Sequence, residues 1–263
     1  MTNWKEMPAW QHLQKYRPLL YELVARDLKV KYRRSFLGYL WSLLNPLLMM
    51  AVMSFVFSYI FRYDIENYPL YLICGQTLWG FFNESTNMAM YSVLQNGSLI
   101  KKVYIPKFIF PMSRVFSSFV TMSFSLGAIL IVMLVTRAPL HWQLLLFPLP
   151  LILLLLFAMG VSMVLSSLSV YFRDVTHLYS VVTLAWMYVT PVFYPVSALP
   201  DEVAWVLKLN PMYYYLDNFR QLVLYGSLPT AKSWCICLLC SGVALAVGLA
   251  VFRKLQRNFI LYL

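Results

Sequence analysis

Few residues in this chain could do chemistry, and they are scattered. Cys235, Cys237 and Cys240 form a C-x-C-x-x-C cluster whose spacing invites a metal-site reading. The apolar run 234–252 that holds them has no His, Asp or Glu to complete a ligand set, so they read as small apolar helix residues. Cys74 is alone in another apolar run and implies no disulfide framework. The three histidines, His12, His141 and His177, fall in links or near the ends of apolar runs, which speaks against a haem-binding bundle. No H-E-x-x-H occurs, and no G-x-x-x-x-G-K-[ST] loop, so usual P-loop hydrolysis of ATP is excluded. Gly160-Val161-Ser162-Met163-Val164 fails the G-x-S-x-G pattern at its last position. Glu84 is the carboxylate that stands well inside an apolar run, and an ionisable group there is a functional candidate by default. Its neighbours Asn83, Ser85 and Thr86 suggest a water-lined face; if the run ends earlier, Glu84 is an interfacial residue without special role. Carboxylates do not recur in the other runs, as a proton-coupled carrier would lead one to expect.

The elements that must position these groups are set by composition. Of 263 residues, 61% are hydrophobic and 12% charged, with a mean hydropathy of +0.67. A soluble domain carries about 25% charged residues, so an ordinary cytosolic enzyme and a disordered chain are both excluded. A membrane helix needs about 20 apolar residues to cross about 30 Å of hydrocarbon. Six stretches approach this: 38–61, 70–91, 108–135, 144–170, 178–193 and 234–252. Gln76, Asn83, Glu84, Ser85, Thr86 and Asn87 interrupt the second, and the fifth is short unless it begins within the 173–177 link. Eight basic residues precede the first run, which is 24 residues long and lacks a cleavage pattern, so it reads as a retained span rather than a signal peptide.

The net charge of +11 would suggest nucleic acid in a soluble protein. In six spans the charge sorts by side instead. Residues 1–37, the 92–114 link, the 171–177 link and the tail hold 16 of the 21 Lys and Arg. The other side holds Arg62, Arg137, Lys208, Arg220 and Lys232. That asymmetry puts both termini in the cytoplasm.

Three segments are not spans. Residues 10–34 predict an amphipathic helix, with Leu20, Val24 and Leu28 on one stripe, Leu23 adjoining it, and Glu22, Arg26, Lys29 and Arg33 opposite. Such a cationic helix would lie in the inner membrane interface; the plainer reading is a topology anchor. In the link 94–107, Asn96-Gly97 signals a turn and Pro106 ends a short helix over 98–104, either a docking element or a solvated basic turn. The segment 190–231 is long for a helix–helix connection and rich in Pro, with Trp205 and the run Tyr213-Tyr214-Tyr215. A short helix is expected over 200–209, and another from the cap Asn210-Pro211 to Gly226. These aromatics read either as interfacial belt residues or as a re-entrant pair at the outer mouth of a pore. Asn45-Pro46, a third of the way into the first span, should kink it or mark its tightly packed start.

The order of these pieces resembles a known family. Arg26-Asp27-Leu28-Lys29-Val30-Lys31-Tyr32-Arg33-Arg34-Ser35-Phe36-Leu37-Gly38-Tyr39-Leu40-Trp41, then Asn45-Pro46, is similar to the opening of type-2 ATP-binding-cassette export permeases for polysaccharides and polyol phosphates. Two further blocks follow in the family's order: Tyr171-Phe172-Arg173-Asp174-Val175 with Thr190-Pro191-Val192-Phe193-Tyr194, and Asn210-Pro211-Met212 with Phe219-Arg220. The pattern is most like O-antigen exporter permeases, and capsule and teichoic-acid exporters share much of it.

The resemblance implies an all-α membrane protein of six spans, with a cytoplasmic segment over 1–34 and a permease domain over 35–263. It implies a homodimeric channel in the bacterial inner membrane, two separate nucleotide-binding ATPase subunits that carry ATP and Mg²⁺, and an undecaprenyl-pyrophosphate-linked polysaccharide as cargo. Ser98, Leu99, Ile100, Lys101, Lys102, Val103 and Tyr104 would form the main coupling helix, with Arg173 and Asp174 a second contact. Arg33, Arg34, Lys101 and Lys102 would meet the lipid pyrophosphate. Trp205, Tyr213, Tyr214, Tyr215, Phe219 and Arg220 would belong to the periplasmic gate in 190–231. No catalytic or metal-ligating residue is implied. The competing readings are a small-molecule efflux permease of the same superfamily, and a membrane enzyme acting on polyprenyl-linked sugars.

Overall fold

The computed structural model describes residues 9–33, 35–60, 65, 67–103 and 105–263, and among these every regular element is helical. Helix α1 (Ala9–Tyr32) runs beside α6 (Ile109–Val135). Its buried stripe is centred on Leu23 and Asp27, with Leu20, Val24 and Leu28 half-buried at its edge. The stripe is offset from the expected one because its inmost position is a carboxylate. Asp27 accepts from Arg114 at 3.0 Å, Arg26 at 3.2 Å and Ser117 at 3.4 Å. A buried charge survives when paired and hydrogen-bonded in this way. Glu22, Arg26, Lys29 and Arg33 lie exposed on the other face, as the sequence predicts.

A 3₁₀ turn over Gly38–Leu40, where Gly38 takes φ +49°, leads into α2 (Trp41–Ile60). Pro46 sits inside α2 and cannot donate to the Ser42 carbonyl four residues back. The Ser125 hydroxyl of α6 donates to that carbonyl instead, at 2.9 Å. Pro46 therefore marks a tightly packed crossing of α2 and α6.

Asn67 caps α3 (Tyr68–Met90) by accepting from the Leu70 amide at 3.3 Å. This is the most enclosed helix of the bundle, packed on α6 and on α7 (Pro148–Tyr171). Two short helices, α4 (Ser92–Gln95) and α5 (Gly97–Lys102), turn the chain back into α6. After α7 come α8 (Val175–Val189), α9 (Asp201–Leu209), α10 (Pro211–Val223) and α11 (Ala231–Leu255), then α12 (Phe259–Tyr262). Helices α7 and α11 make the most extensive contact in the chain. Gly160 and Gly248 allow it: a Cβ at Gly160 would fall on the Ala244 backbone, and one at Gly248 on the Gly160 carbonyl. Where α3, α7 and α8 meet, the core is aromatic, with Phe82 stacked on Phe157 at 5.6 Å and Trp186 edge-on to Phe82 at 5.2 Å.

Four helical stretches among the described residues are long and apolar enough to cross a membrane: Gly38–Phe57, Ile109–Val135, Trp142–Tyr171 and Ala231–Tyr262. The other two stretches expected to span fall on helices α3 and α8, which are not among these four. Helix α3 has the length, 23 residues, and carries the polar interruptions. Helix α8 has 15 residues, about 22 Å, and does start within the 173–177 link.

Candidate functional site

A groove of about 430 Å³ runs between α2, α3 and α6, closed at its far end by Val192 and Phe193. Its α3 wall is built at helical spacing: Gln76 and Thr77, Gly80, then Glu84. Asn45, Ser118, Thr121 and Ser125 add polar groups from α2 and α6. The Gln76 Oε1 and Thr77 Oγ1 atoms are buried and have no hydrogen-bond partner among the described residues. At the opposite end of the groove the Lys31 ammonium donates to Glu84 Oε1 at 2.6 Å. Glu84 is thus one-third exposed at a polar groove rather than enclosed in hydrocarbon.

Lys31 stands at the basic end of the bundle, where α5 also lies. Ile100 packs inward from α5, while Ser98, Lys101, Lys102 and Val103 face outward and Leu99 is half-buried. Arg173 and Asp174 are exposed in the turn between α7 and α8. Arg33 is exposed at the end of α1; Arg34 and Tyr104 lie outside the described residues. Residues 256–263 were not singled out from sequence, yet they complete this end. Leu263 packs on Gly97 of α5, Tyr262 lies 4.5 Å from the Tyr171 ring, and Tyr171 donates to the Leu255 carbonyl at 2.8 Å. Lys107 donates to the Gln256 carbonyl at 2.7 Å and sits 5.5 Å over the Phe259 ring. Partial burial holds its ammonium below the usual lysine pKa. Phe259 is fully buried, a cue to docking that an eight-residue basic-apolar tail hides in sequence.

The opposite end separates the residues expected at a gate. Trp205 is exposed, and Tyr213 and Tyr214 are half-buried. Tyr215, Phe219 and Arg220 are buried inside the chain. Three consecutive residues on a helix point 100° apart, so one of the tyrosines had to turn inward. Tyr215 hydrogen-bonds the Cys237 carbonyl at 3.0 Å and the Ser241 hydroxyl at 2.7 Å, tying α10 to α11. Cys237 is buried there while Cys235 is exposed, so the cysteines do not converge.

Arg220 does the most of any residue at this end. Its guanidinium lies 3.4 Å from the Tyr71 ring centroid and donates to the carbonyls of Tyr71, Pro191 and Val192, at 3.1, 2.6 and 3.0 Å. Tyr71 and Tyr68 in turn donate to the carbonyls of Tyr194 and Phe193, at 2.8 and 2.7 Å. The irregular stretch 190–194 is therefore held by its backbone carbonyls. Gly75 leaves the space: a Cβ there would fall on the guanidinium. Asn210 caps α10 through the Met212 amide at 3.0 Å, and also joins Trp186 and Thr190, each at 2.8 Å. The sequence blocks 190–194, 210–212 and 219–220 thus meet at one place.

Among the described residues the chain is an all-helical bundle with a polar groove, a basic end and a buried arginine staple. Residues 5–224 match the ABC-2 type transporter membrane family, and the chain belongs to it. Over 245 residues it is 31% identical to the O-antigen export system permease protein RfbA of Klebsiella pneumoniae, covering 92% of this chain and 93% of that one. Identity to RfbA of Myxococcus xanthus is 32% over 251 residues, 95% and 96% of the two chains. The capsule polysaccharide export inner-membrane protein CtrC of Neisseria meningitidis is more distant, at 24% identity over 243 residues and 90% of each chain.

Proposed function

We propose that this chain is the channel-forming permease of an ATP-driven exporter that moves undecaprenyl-pyrophosphate-linked polysaccharide, O-antigen foremost, from cytoplasm to periplasm. The observation that carries the reading is likeness to O-antigen export permeases at 31% and 32% identity over more than nine-tenths of both chains. In this reading six spans cross the bacterial inner membrane, with the basic end and both termini in the cytoplasm. Two copies pair into one channel, and two separate nucleotide-binding subunits, carrying ATP and Mg²⁺, dock beneath it.

The placement of side chains supports these roles. Lys101, Lys102 and Val103 are exposed at the tip of α5, with Ser98 beside them, and Arg173 and Asp174 offer a second contact. Closure of the partner subunits would press on this surface and bias the channel between two states. Arg33, Lys101 and Lys102 are exposed cations at the same end, suited to a pyrophosphate; Arg34 joins them by sequence. Trp205, Tyr213 and Tyr214 would meet the sugar chain at the periplasmic mouth, since aromatic faces let sugar C–H faces slide without a deep well. Tyr215, Phe219 and Arg220 would hold that mouth from behind.

A capsule exporter is the second reading, favoured by the likeness to CtrC. Deleting the chain from its host tests both. Surface polysaccharide should vanish while its lipid-linked form accumulates in the cytoplasm, and the sugars of the missing polymer tell O-antigen from capsule. A deletion strain with normal surface polysaccharide, or one altered first in drug resistance, would refute the reading.

A further inference from the structure

The Lys31–Glu84 pair does more than join two helices. Lys31 lies in the last turn of α1, Glu84 belongs to α3, and the groove opens between them. Glu84 stands six positions before Met90, the last residue of α3, which places the pair about 9 Å inside that helix end. Both side chains keep about a third of their surface, 36% and 33%, so a solute can reach either. An ion pair this exposed is weakly held. Asp27, four residues before Lys31, is instead enclosed by Arg114, Arg26 and Ser117 and is built to stay. Beyond the pair, Asn45, Gln76, Thr77, Ser118, Thr121 and Ser125 line the groove. The groove therefore offers a replaceable cation at its mouth and polar side chains along its walls. That arrangement suits a ligand with a phosphate head and a hydroxylated body.

We propose that Lys31–Glu84 is a displaceable latch, in which a phosphate or diphosphate group arriving at the mouth takes Lys31 from Glu84. A diphosphate carries more charge than one carboxylate and offers more acceptors to the three ammonium hydrogens. Glu84 is the competitor: it neutralises Lys31 while the groove is empty and lowers the affinity for any lesser anion. The identification of the head as that of a lipid-linked polysaccharide rests on the exporter reading, whereas the exchange itself rests on the groove.

The two halves of the pair make opposite predictions. Inorganic pyrophosphate is titrated into the full chain, purified in detergent, by calorimetry. Glu84→Gln frees Lys31 and should tighten binding about two- to fivefold, the worth of an exposed pair. Lys31→Gln should weaken it by about tenfold, the worth of a charge-assisted hydrogen bond. The swap Lys31→Glu with Glu84→Lys should restore thermal stability and shift the cation to α3 without restoring wild-type affinity. A purely structural pair would instead lose affinity alike in both single variants and regain it in the swap, and either result overturns the latch. Vesicles of phosphatidylcholine containing polyprenyl diphosphate, or phosphatidylglycerol in its place, distinguish the sources of phosphate. Loss of binding to the first alone in Lys31→Gln supports a diphosphate carrier; equal loss to both overturns that carrier as the ligand. Binding is read without ATP or transport, so failure of the latch leaves the exporter reading standing, and the converse holds.

Discussion

Arg220 concentrates at one residue what holds the non-helical part of this membrane chain. A guanidinium has five donors in a planar fork, and here four hydrogen bonds from it reach three backbone carbonyls on two segments. Arg220→Lys keeps the charge and loses the fork. Leaving two of those carbonyls unmet should cost on the order of 2–4 kcal/mol, read as a lower melting temperature of the detergent-purified chain. Gly75→Ala should act on the same staple from the other side, because its methyl group occupies the guanidinium's place. Retention of wild-type melting in both variants would show that the carbonyls find other donors. The neighbouring tyrosines divide differently. Tyr213→Ala and Tyr214→Ala should leave expression intact and lower export of polysaccharide, whereas Tyr215→Phe should destabilise the α10–α11 contact through its two lost hydrogen bonds. Unchanged export in the first two would make them interfacial belt residues.

At the scale of elements, periodicity and caps made the helices legible in the sequence. The Asn210-Pro211 start of α10, the short α9, and the exposed charged face of α1 all follow from capping preference and spacing. What pattern could not give is the direction in which polar residues face. Asp27 reads as one more charge on a cationic helix, yet it is the buried anchor of α1 to α6, because its partner Arg114 lies 87 positions away in sequence. Phe219 and Arg220, which the resemblance assigns to the periplasmic gate, are turned by α10 toward the core of the chain. The docking of residues 256–263 under α5 was equally hidden, since its contacts, Leu263 against Gly97 among them, join segments far apart in sequence. Helix α5 carries a prediction of its own scale. Lys101→Glu with Lys102→Glu should reduce co-purification of the ATPase subunit, while the melting temperature of the chain stays unchanged because both side chains are exposed. Full co-purification with reduced export would move these lysines from docking to substrate admission.

For the molecule as a whole, the basic charge is a map of one end rather than a nucleic-acid footprint. Lys31, Arg33, Lys101, Lys102, Arg173, Arg253, Lys254 and Arg257 share the end that carries α5 and α12 and the mouth of the groove. The chain joins that end to the stapled stretch 190–194 by one groove, whose far wall is Val192 and Phe193. A partner that moved the basic end would therefore act on a structure continuous with the opposite mouth. The exporter reading stands or falls on coupled movement of cargo. In inverted inner-membrane vesicles holding the chain and its ATPase subunit, lipid-linked polysaccharide added outside should become protected from a glycosidase only when ATP is present. Vesicles with the chain alone should give no protection. Protection that develops equally without ATP, or without the ATPase subunit, would contradict the account.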